Sequence, residues 1–332
     1  MDTLFVLTIL IVIMALAFDF INGFHDTANA IATSVSTKAL KPRHAIFLAA
    51  TMNFVGAMTF TGVAKTITKD IVDPFTLPNG SLVILAALIA AIAWNLITWY
   101  YGIPSSSSHA LIGSIAGAAI GAAGFGVLEW GGFLKILQAL IISPLLAFGV
   151  GFLVYSIFKV IFKNNNLTKT NKRFRYIQIG TAALQAYTHG TNDAQKAMGI
   201  IVMALIANGQ LDSADIPLWV QFSCALAMGL GTSVGGWKII KTVGGGIMKI
   251  RPVNGVAADL TGASIIFGAT LIHLPVSTTH VISSSILGVG SAHRVKGVKW
   301  GTAQRMIITW FITLPISGTL AALIYVILNF FF

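Results

Sequence analysis

Two short polar stretches in an apolar chain, residues 22–30 and 189–197, carry the side chains most able to do chemistry. Both contain Gly-x-x-Asp, and aligning Asp26 with Asp193 gives an offset of 193 − 26 = 167. A carboxylate in apolar surroundings is costly unless it is paired. Each aspartate therefore needs a cation, a proton or a hydrogen-bonded partner, or else lies in water near an interface.

Two rows of hydroxyl residues form a second duplicated feature. Each row follows a proline, Pro104 or Pro275, at an offset of 275 − 104 = 171. Proline followed by Ser or Thr is typical of a helix start, whose free N–H groups and positive dipole end suit an oxyanion. Capping alone or close helix packing is the alternative. The rows comprise Ser105, Ser106, Ser107, Ser108, Ser277, Thr278 and Thr279.

The remaining polar residues of these stretches fall into three groups. Asn22 and Thr27 accompany the aspartates as candidate cation ligands, and Asn29, Asn192 and Lys196 are candidate anion ligands. Lys196 could pair with Asp193, contact the anion or snorkel to an interface. Four histidines could move a proton or orient neighbours, namely His25, His109, His189 and His280. Asp19, Asn95, Asp259 and His273 have no match in the other half and rank lower.

Composition places these groups in a membrane. The 332-residue chain is 56% hydrophobic and only 9% charged, which is too little charge to solvate a soluble globule of this size. The net charge of +11 comes largely from Lys and Arg in short connections, as membrane orientation requires, so no nucleic-acid partner is expected. The single cysteine, Cys224, excludes an intrachain disulfide.

Hydropathy predicts ten membrane segments in one membrane domain. Because two motifs recur in one order at nearly one spacing, the second five segments duplicate the first. The first apolar run leads directly into a polar motif, so we expect a membrane segment and not a cleaved signal. The segments are 3–37, 42–64, 81–101, 104–124, 134–160, 176–208, 217–236, 257–273, 275–291 and 303–331.

Connection charge predicts that the two halves, 1–160 and 176–332, are inverted. Residues 38–43 are basic, whereas the equivalent 208–215 contains two acids and no base. By the positive-inside rule the basic connection 161–175 is cytoplasmic and both termini face outward. Inverted repeats build many secondary transporters.

The opening segment is too long for one straight crossing, since 35 residues at about 1.5 Å each span roughly 50 Å. It must break, re-enter or tilt, and Gly23 is the expected break, with Gly190 as its counterpart. Connection charge does not distinguish a re-entrant hairpin from two crossings for 81–124 or 257–291. The expected fold is all-α, with broken helices or re-entrant hairpins at the midplane.

Together, carboxylates for a cation and helix starts for an oxyanion predict a cation-coupled anion site between the halves. Sodium is a candidate metal at Asp26 and Asp193. An uncoupled anion channel and, more distantly, a membrane-embedded enzyme are the alternatives. Neither Gly-rich stretch, 113–126 or 229–246, has the Gly-Lys-Ser/Thr ending of a nucleotide site, which disfavours an ATP-driven pump.

Four motifs resemble the inorganic phosphate transporter family in its bacterial form: DFINGFHDTANAIAT, GIPSSSSHALIG, HGTNDAQKAMG and PVSTTH. The resemblance covers nearly the whole chain, and Asp26, Asn29, Asn192 and Asp193 match the family signature. It implies import of phosphate across the plasma membrane with sodium or protons by alternating access, no enzyme activity, no other cofactor and often a homodimer. Related proteins also carry sulfate, and a metal-phosphate complex is a further substrate candidate. Residues 161–175 replace the large loop of eukaryotic members.

Overall fold

The computed structural model describes residues 3–73, 77 and 79–331, and within them the chain is helical with one isolated β-bridge. The all-α prediction is confirmed. Twelve α-helices follow one another in the described residues: α1 (Thr3–Ser36), α2 (Pro42–Ala57), α3 (Gly62–Lys69), α4 (Gly80–Tyr101), α5 (Ser107–Ala123), α6 (Trp130–Ile161), α7 (Leu167–Ala207), α8 (Leu218–Val234), α9 (Trp237–Lys241), α10 (Pro252–Leu271), α11 (Thr278–Arg294) and α12 (Trp300–Phe331).

Helices α1–α6 and α7–α12 repeat one order of elements. In each half a long first helix precedes a sharply bent pair, a hairpin and a long last helix that contains a proline, Pro144 or Pro315. The bent pairs turn by 69° between α2 and α3 and by 64° between α8 and the segment that begins with α9. Each predicted segment therefore has a helix or a bent pair in the structure.

Within the described residues four helices are long and apolar enough to cross a membrane, namely α1, α4, α6 and α12, and each bent pair could form one more span. The other helices are shorter or more polar. Helix α7, for example, is 41 residues long but has many polar side chains, which are buried against other helices over 188–196. This count is lower than the ten segments predicted from hydropathy because protein, not lipid, surrounds these polar helices.

The breaks expected at Gly23 and Gly190 do not occur, because α1 and α7 run through both glycines without interruption. The glycines serve a different purpose. A Cβ at Gly23 would lie 2.5 Å from the carbonyl oxygen of Met228, and one at Gly190 would lie 2.2 Å from that of Asn53. Each glycine allows two helix backbones to touch, which is a common role of small residues inside membranes.

The two halves interlock. Helix α1 packs on α8 and α2 packs on α7, while α5 packs on α12 and α11 packs on α6. Every one of these contacts joins the first half to the second. Glycines again permit the close approach, since a Cβ at Gly117 would lie 2.1 Å from the oxygen of Gly318, and one at Gly288 would lie 2.0 Å from that of Phe148.

Helices α4 and α5 form a hairpin whose tip lies beside Asp26. Ser107, the first residue of α5, donates a hydrogen bond to Asp26 of α1. Helices α10 and α11 form the equivalent hairpin, whose tip lies beside Asp193 through Thr278. The two segments 81–124 and 257–291 thus form helix pairs with tips at the buried aspartates.

The long last helices face outward with apolar side chains. Leu145 on α6 is 69% exposed and Phe311 on α12 is 73% exposed, as expected of residues that contact hydrocarbon. The connection between the two halves, expected at 161–175, is shorter in the structure. Helix α7 begins at Leu167, and the side chain of Asn166 accepts hydrogen bonds from the first turn.

We expect Gly190→Ala to destabilise the protein by about 1–3 kcal/mol, because the new methyl group forces α2 away from α7. Its melting temperature in detergent should fall by several degrees. Gly180→Ala on the same helix is the matched control, since a Cβ there has no neighbour within 4 Å. Equal melting temperatures for the two variants would contradict the packing role of Gly190.

Candidate functional site

The structure brings the two predicted aspartates together at the contact between α1 and α7. Asp26, Asp193 and His189 each offer a ligand atom, and these atoms lie within 4.8 Å of one another. The three residues are at most 2% exposed. Two carboxylates and an imidazole at this separation can bind one cation between them.

Asp26 accepts three hydrogen bonds. Its Oδ1 accepts from Nδ1 of the adjacent His25 at 2.7 Å and from the Thr279 hydroxyl at 3.3 Å. Its Oδ2 accepts from the Ser107 hydroxyl at 2.7 Å. Because Ser107 belongs to the first hairpin and Thr279 to the second, both hairpin tips contact this carboxylate.

Asp193 has a related but more strongly charged set of partners. Thr278 donates to Oδ2 at 2.9 Å, and 278 − 107 = 171 makes it the counterpart of Ser107. Lys196 donates a short hydrogen bond to Oδ1. The ammonium also reaches the carbonyl oxygen of Val276 at 3.2 Å. Lys196 therefore pairs with Asp193, one of its predicted alternatives.

A chain of hydrogen bonds fixes the orientation of His189. The Thr232 hydroxyl donates to the carbonyl oxygen of Met228 and so accepts from the amide nitrogen of Asn53. The amide oxygen of Asn53 then faces Nδ1 of His189 at 3.0 Å, which makes Nδ1 the donor. Nε2 consequently faces Oδ2 of Asp193 at 3.1 Å. Two acceptors at that distance repel unless a proton or a cation lies at Nε2.

Two of the predicted hydroxyl residues cap helices. The hydroxyl oxygen of Ser106 accepts from the N–H of His109 at 3.0 Å, and that of Ser277 accepts from the N–H of His280 at 3.3 Å. The two imidazole rings are in contact at a tilt of 43° with centroids 4.4 Å apart, and His280 stacks on Trp310 at 4.1 Å. These histidines lie where the hairpin tips meet.

The other hydroxyls have different partners. Ser105 donates to Thr98, and Ser108 donates to the carbonyl oxygen of Val276 in the opposite half. Only Ser107, Thr278 and Thr279 contact the aspartates. The two rows therefore hold the hairpin tips together as well as facing the carboxylates.

The predicted amide ligands differ in their availability. Asn29 donates to the Thr279 hydroxyl at 2.9 Å, and its Oδ1 has no partner among the described residues. Asn192 donates to Thr270 and to the carbonyl oxygen of Leu274, and accepts from the N–H of Val276. Asn192 thus holds the second hairpin tip in place, while Asn29 retains a free acceptor.

The two further cation candidates lie differently. Thr27 donates its hydroxyl hydrogen to Gly23 at 2.7 Å and approaches the carbonyl oxygen of Thr232 at 3.3 Å, at the contact with α8. Neither side-chain atom of Asn22 has a partner in the described part of the chain. Sequence reasoning did not single out Asn53 or Thr98, although an amide and a hydroxyl inside apolar segments were the available signals.

Two basic cavities lie near opposite ends of α4. One, of about 550 Å³, is lined by residues that include Lys65, Lys69 and His273. The other, of about 430 Å³, borders the tip of the first hairpin and includes Lys241 and Arg305.

Contacts of nearby residues show near which end of α4 each cavity lies. Lys65 pairs with Asp215 at 2.6 Å, and this hydrogen bond lowers the pKa of the Asp215 carboxyl. Asn208, in the same connection as Asp215, contacts Ser81 at the start of α4, whereas Gly102 at its end lines the second cavity. The aspartates and the hydroxyls that contact them are at most 2% exposed, so the site is closed to both cavities.

Residues 22–172 and 163–321 each match the phosphate transporter family. The chain belongs to this family. Two matches in tandem agree with the internal duplication, and the sequence resemblance is confirmed. Family membership also confirms that the chain is a multi-pass membrane transporter and not an enzyme.

Named relatives span the full chain. A "probable low-affinity inorganic phosphate transporter" of Bacillus subtilis (strain 168) is 80% identical over 100% of both chains. A relative with the same description from Rhizobium meliloti (strain 1021) is 44% identical over 97% of this chain and 96% of its own. A solved structure described as "the sodium-dependent phosphate transporter" superposes with a TM-score of 0.87 at 24% identity, over 98% of this chain and 100% of that one. That similarity establishes the shared fold.

We expect Asn53→Leu to lower the stability by about 1–3 kcal/mol, because it leaves Nδ1–H of His189 without an acceptor in a buried position. The melting temperature of the purified protein should fall. Thr232→Val, which keeps the amide oxygen of Asn53 facing His189, is the control and should have a smaller effect. A larger loss in the Thr232 variant would show that the chain of hydrogen bonds does not act through His189.

Proposed function

We propose that this protein imports inorganic phosphate together with a cation, sodium or a proton, by alternating access. The charge of the buried site is the observation that carries the proposal. Asp26 and Asp193 of the site and the adjacent Asp19 face one buried base among the described residues, Lys196, so the formal charge of this region is 1 − 3 = −2 with ionised carboxylates and neutral histidines. An anion cannot enter such a site unless cations accompany it, because buried charges of one sign repel strongly.

The residues best suited to bind the coupled cation are Asp26, Asp193 and His189. Their ligand atoms lie within 4.8 Å of one another, and His189 Nε2 faces a carboxylate oxygen at 3.1 Å. A sodium ion bound by the carboxylates, or a proton on His189, would remove that repulsion. Either one makes anion binding depend on the cation, which is the basis of symport.

The two hairpin tips are best suited to bind phosphate. Helices α5 and α11 both begin at the site, so their free N–H groups and positive dipole ends converge there from the two halves. Ser107, Thr278 and Thr279 supply hydroxyls, and Lys196 supplies a positive charge. The relatives' descriptions support inorganic phosphate over sulfate.

The cavities support alternating access. Each one borders the residues just before a hairpin helix, His273 in one case and Gly102–Pro104 in the other, and the site between them is closed. Movement of one tip would open the site to one cavity, and movement of the other tip would open it to the second. The inverted repeat thus provides two equivalent gates.

The remaining features follow from the resemblance and from connection charge. We place the protein in the plasma membrane with both termini outside, and we expect a homodimer. Sulfate transport, metal-phosphate transport and an uncoupled channel are outcomes that transport assays distinguish from cation-coupled phosphate import.

We expect Asp193→Asn to reduce concentrative phosphate uptake at least about a hundredfold, because it leaves the buried Lys196 unpaired at a cost of about 3–5 kcal/mol. Uptake is measured in proteoliposomes with sodium and pH gradients imposed separately and with sulfate as competitor. Asp212→Asn, an exposed change, is the control and should transport normally. Concentrative uptake by Asp193→Asn at the normal rate would refute the assigned role, and gradient-independent flux in the unaltered protein would indicate a channel.

Neutralising the first cavity should slow capture of the anion. We expect the double variant Lys65→Gln, Lys69→Gln to raise the KM for phosphate about tenfold at low ionic strength, since basic clefts raise the local anion concentration. The effect should shrink above about 0.1 M salt, where the Debye length is about 10 Å. Lys163→Gln, at an exposed position away from this cavity, is the control. A KM shift that is independent of salt would contradict electrostatic capture.

A further inference from the structure

A second set of buried polar side chains lies on α1 and α4, adjacent to the site but outside it. Asp19 and Asn22 are three positions apart in the sequence and therefore lie on the same face of α1. Asn95 lies on α4. All three residues are 0% exposed.

The contacts of α1 and α4 show that Asn22 and Asn95 lie at the same level. Near the start of both helices, Asn208 contacts Thr8 of α1 and Ser81 of α4. Further along, His25 of α1 contacts Thr98 of α4 at 3.1 Å. The two helices are therefore parallel in a constant register, because 81 − 8 = 73 and 98 − 25 = 73. The same offset places Asn22 opposite Asn95, since 95 − 22 = 73.

The polar atoms of this set have no partners among the described residues. Both carboxylate oxygens of Asp19 and both amide atoms of Asn22 and of Asn95 lack a hydrogen bond. The protein contains a useful comparison in Asp259, another buried aspartate, which accepts hydrogen bonds from Thr33 at 2.6 Å and Thr181 at 3.0 Å. Partnerless buried polar groups are rare in native structures and call for a ligand that satisfies them.

The nearby lysine does not neutralise Asp19. Asp19 is close enough to Asp193 and Lys196 to interact electrostatically with both. The ammonium of Lys196, however, is hydrogen-bonded to Asp193 and to Val276. An ionised Asp19 carboxylate would therefore lack a compensating partner inside the membrane domain, where the cost of a buried charge is high.

We propose that Asp19, Asn22 and Asn95 form a binding site for a monovalent cation of the size of sodium. Two carboxylate oxygens and two amide oxygens give a hard oxygen ligand set with a single negative charge. Dications are bound by sets with more oxygens or carboxylates. The site differs from that of Asp26, Asp193 and His189, and it rests on the proposed cation-coupled function.

The test counts sodium ions bound to the purified, full-length protein by equilibrium dialysis with radioactive sodium. Asp19→Asn should bind one sodium ion fewer per chain than the unaltered protein. The double variant Asp19→Asn, Asn95→Asp moves the carboxylate from α1 to α4 within the same proposed ligand set and should restore the lost ion. Asp259→Asn is the matched control and should bind as many sodium ions as the unaltered protein.

Sodium-induced shifts in melting temperature provide an independent measure for variants that fold poorly. The shift should be smaller in Asp19→Asn and should recover in the double variant, which a loss of structure alone would not produce. An unchanged sodium count in Asp19→Asn, or no recovery in the double variant, overturns the proposed site.

Phosphate uptake by the same preparations separates this inference from the proposed function. If concentrative uptake persists and the sodium count of Asp19→Asn is unchanged, only the Asp19 site is wrong. If the unaltered protein binds no sodium and its uptake follows the pH gradient, Asp19 holds a proton and the sodium site is overturned. If no gradient drives uptake, the proposed function itself fails.

Discussion

The rest of the structure depends on one constraint, which is that buried carboxylates must be stabilised in a region without water. Asp26 and Asp193 lie within a few ångströms of each other, and in the described part of the chain Lys196 is the one lysine buried with them. The chain supports them by bringing the starts of two helices, with their hydroxyls and free N–H groups, to the same place. Long uninterrupted helices provide the carboxylates and hairpins provide the donors, so neither kind of element makes the site alone.

Exchange of contacts between the halves makes this arrangement rigid. Asp26 belongs to the first half and accepts from Thr279 of the second, while Ser108 of the first half donates to Val276 of the second. The same exchange occurs between whole helices, because α1 packs on α8 and α5 packs on α12. Neither half has a complete site or a complete core without the other.

Much of the fold and of the candidate site was predictable from the sequence, because two polar motifs that recur in the same order indicate both a duplication and the residues that matter for function. The aspartates, the helix starts behind matched prolines and the hairpin segments were all identified in this way. The expected breaks at Gly23 and Gly190 were wrong, since a glycine that permits backbone contact has the same sequence signal as one that ends a helix. Asp19 and Asn95 ranked low because they lack counterparts. The position of Asn95 opposite Asn22 follows only from the register between α1 and α4, which leaves no visible pattern in a single sequence.

The contact between the imidazoles of His109 and His280 has a consequence for the two gates. Their rings, 4.4 Å apart, each follow the cap of a different hairpin helix, so each ring is part of the surface on which the other tip packs. A tip that swings away takes its ring with it and leaves the other histidine to rely on neighbours such as Trp310. The two ends of the path therefore share one aromatic contact. Opening both ends at once would break that contact and the hydrogen bonds between the halves. States in which only one end is open are therefore favoured.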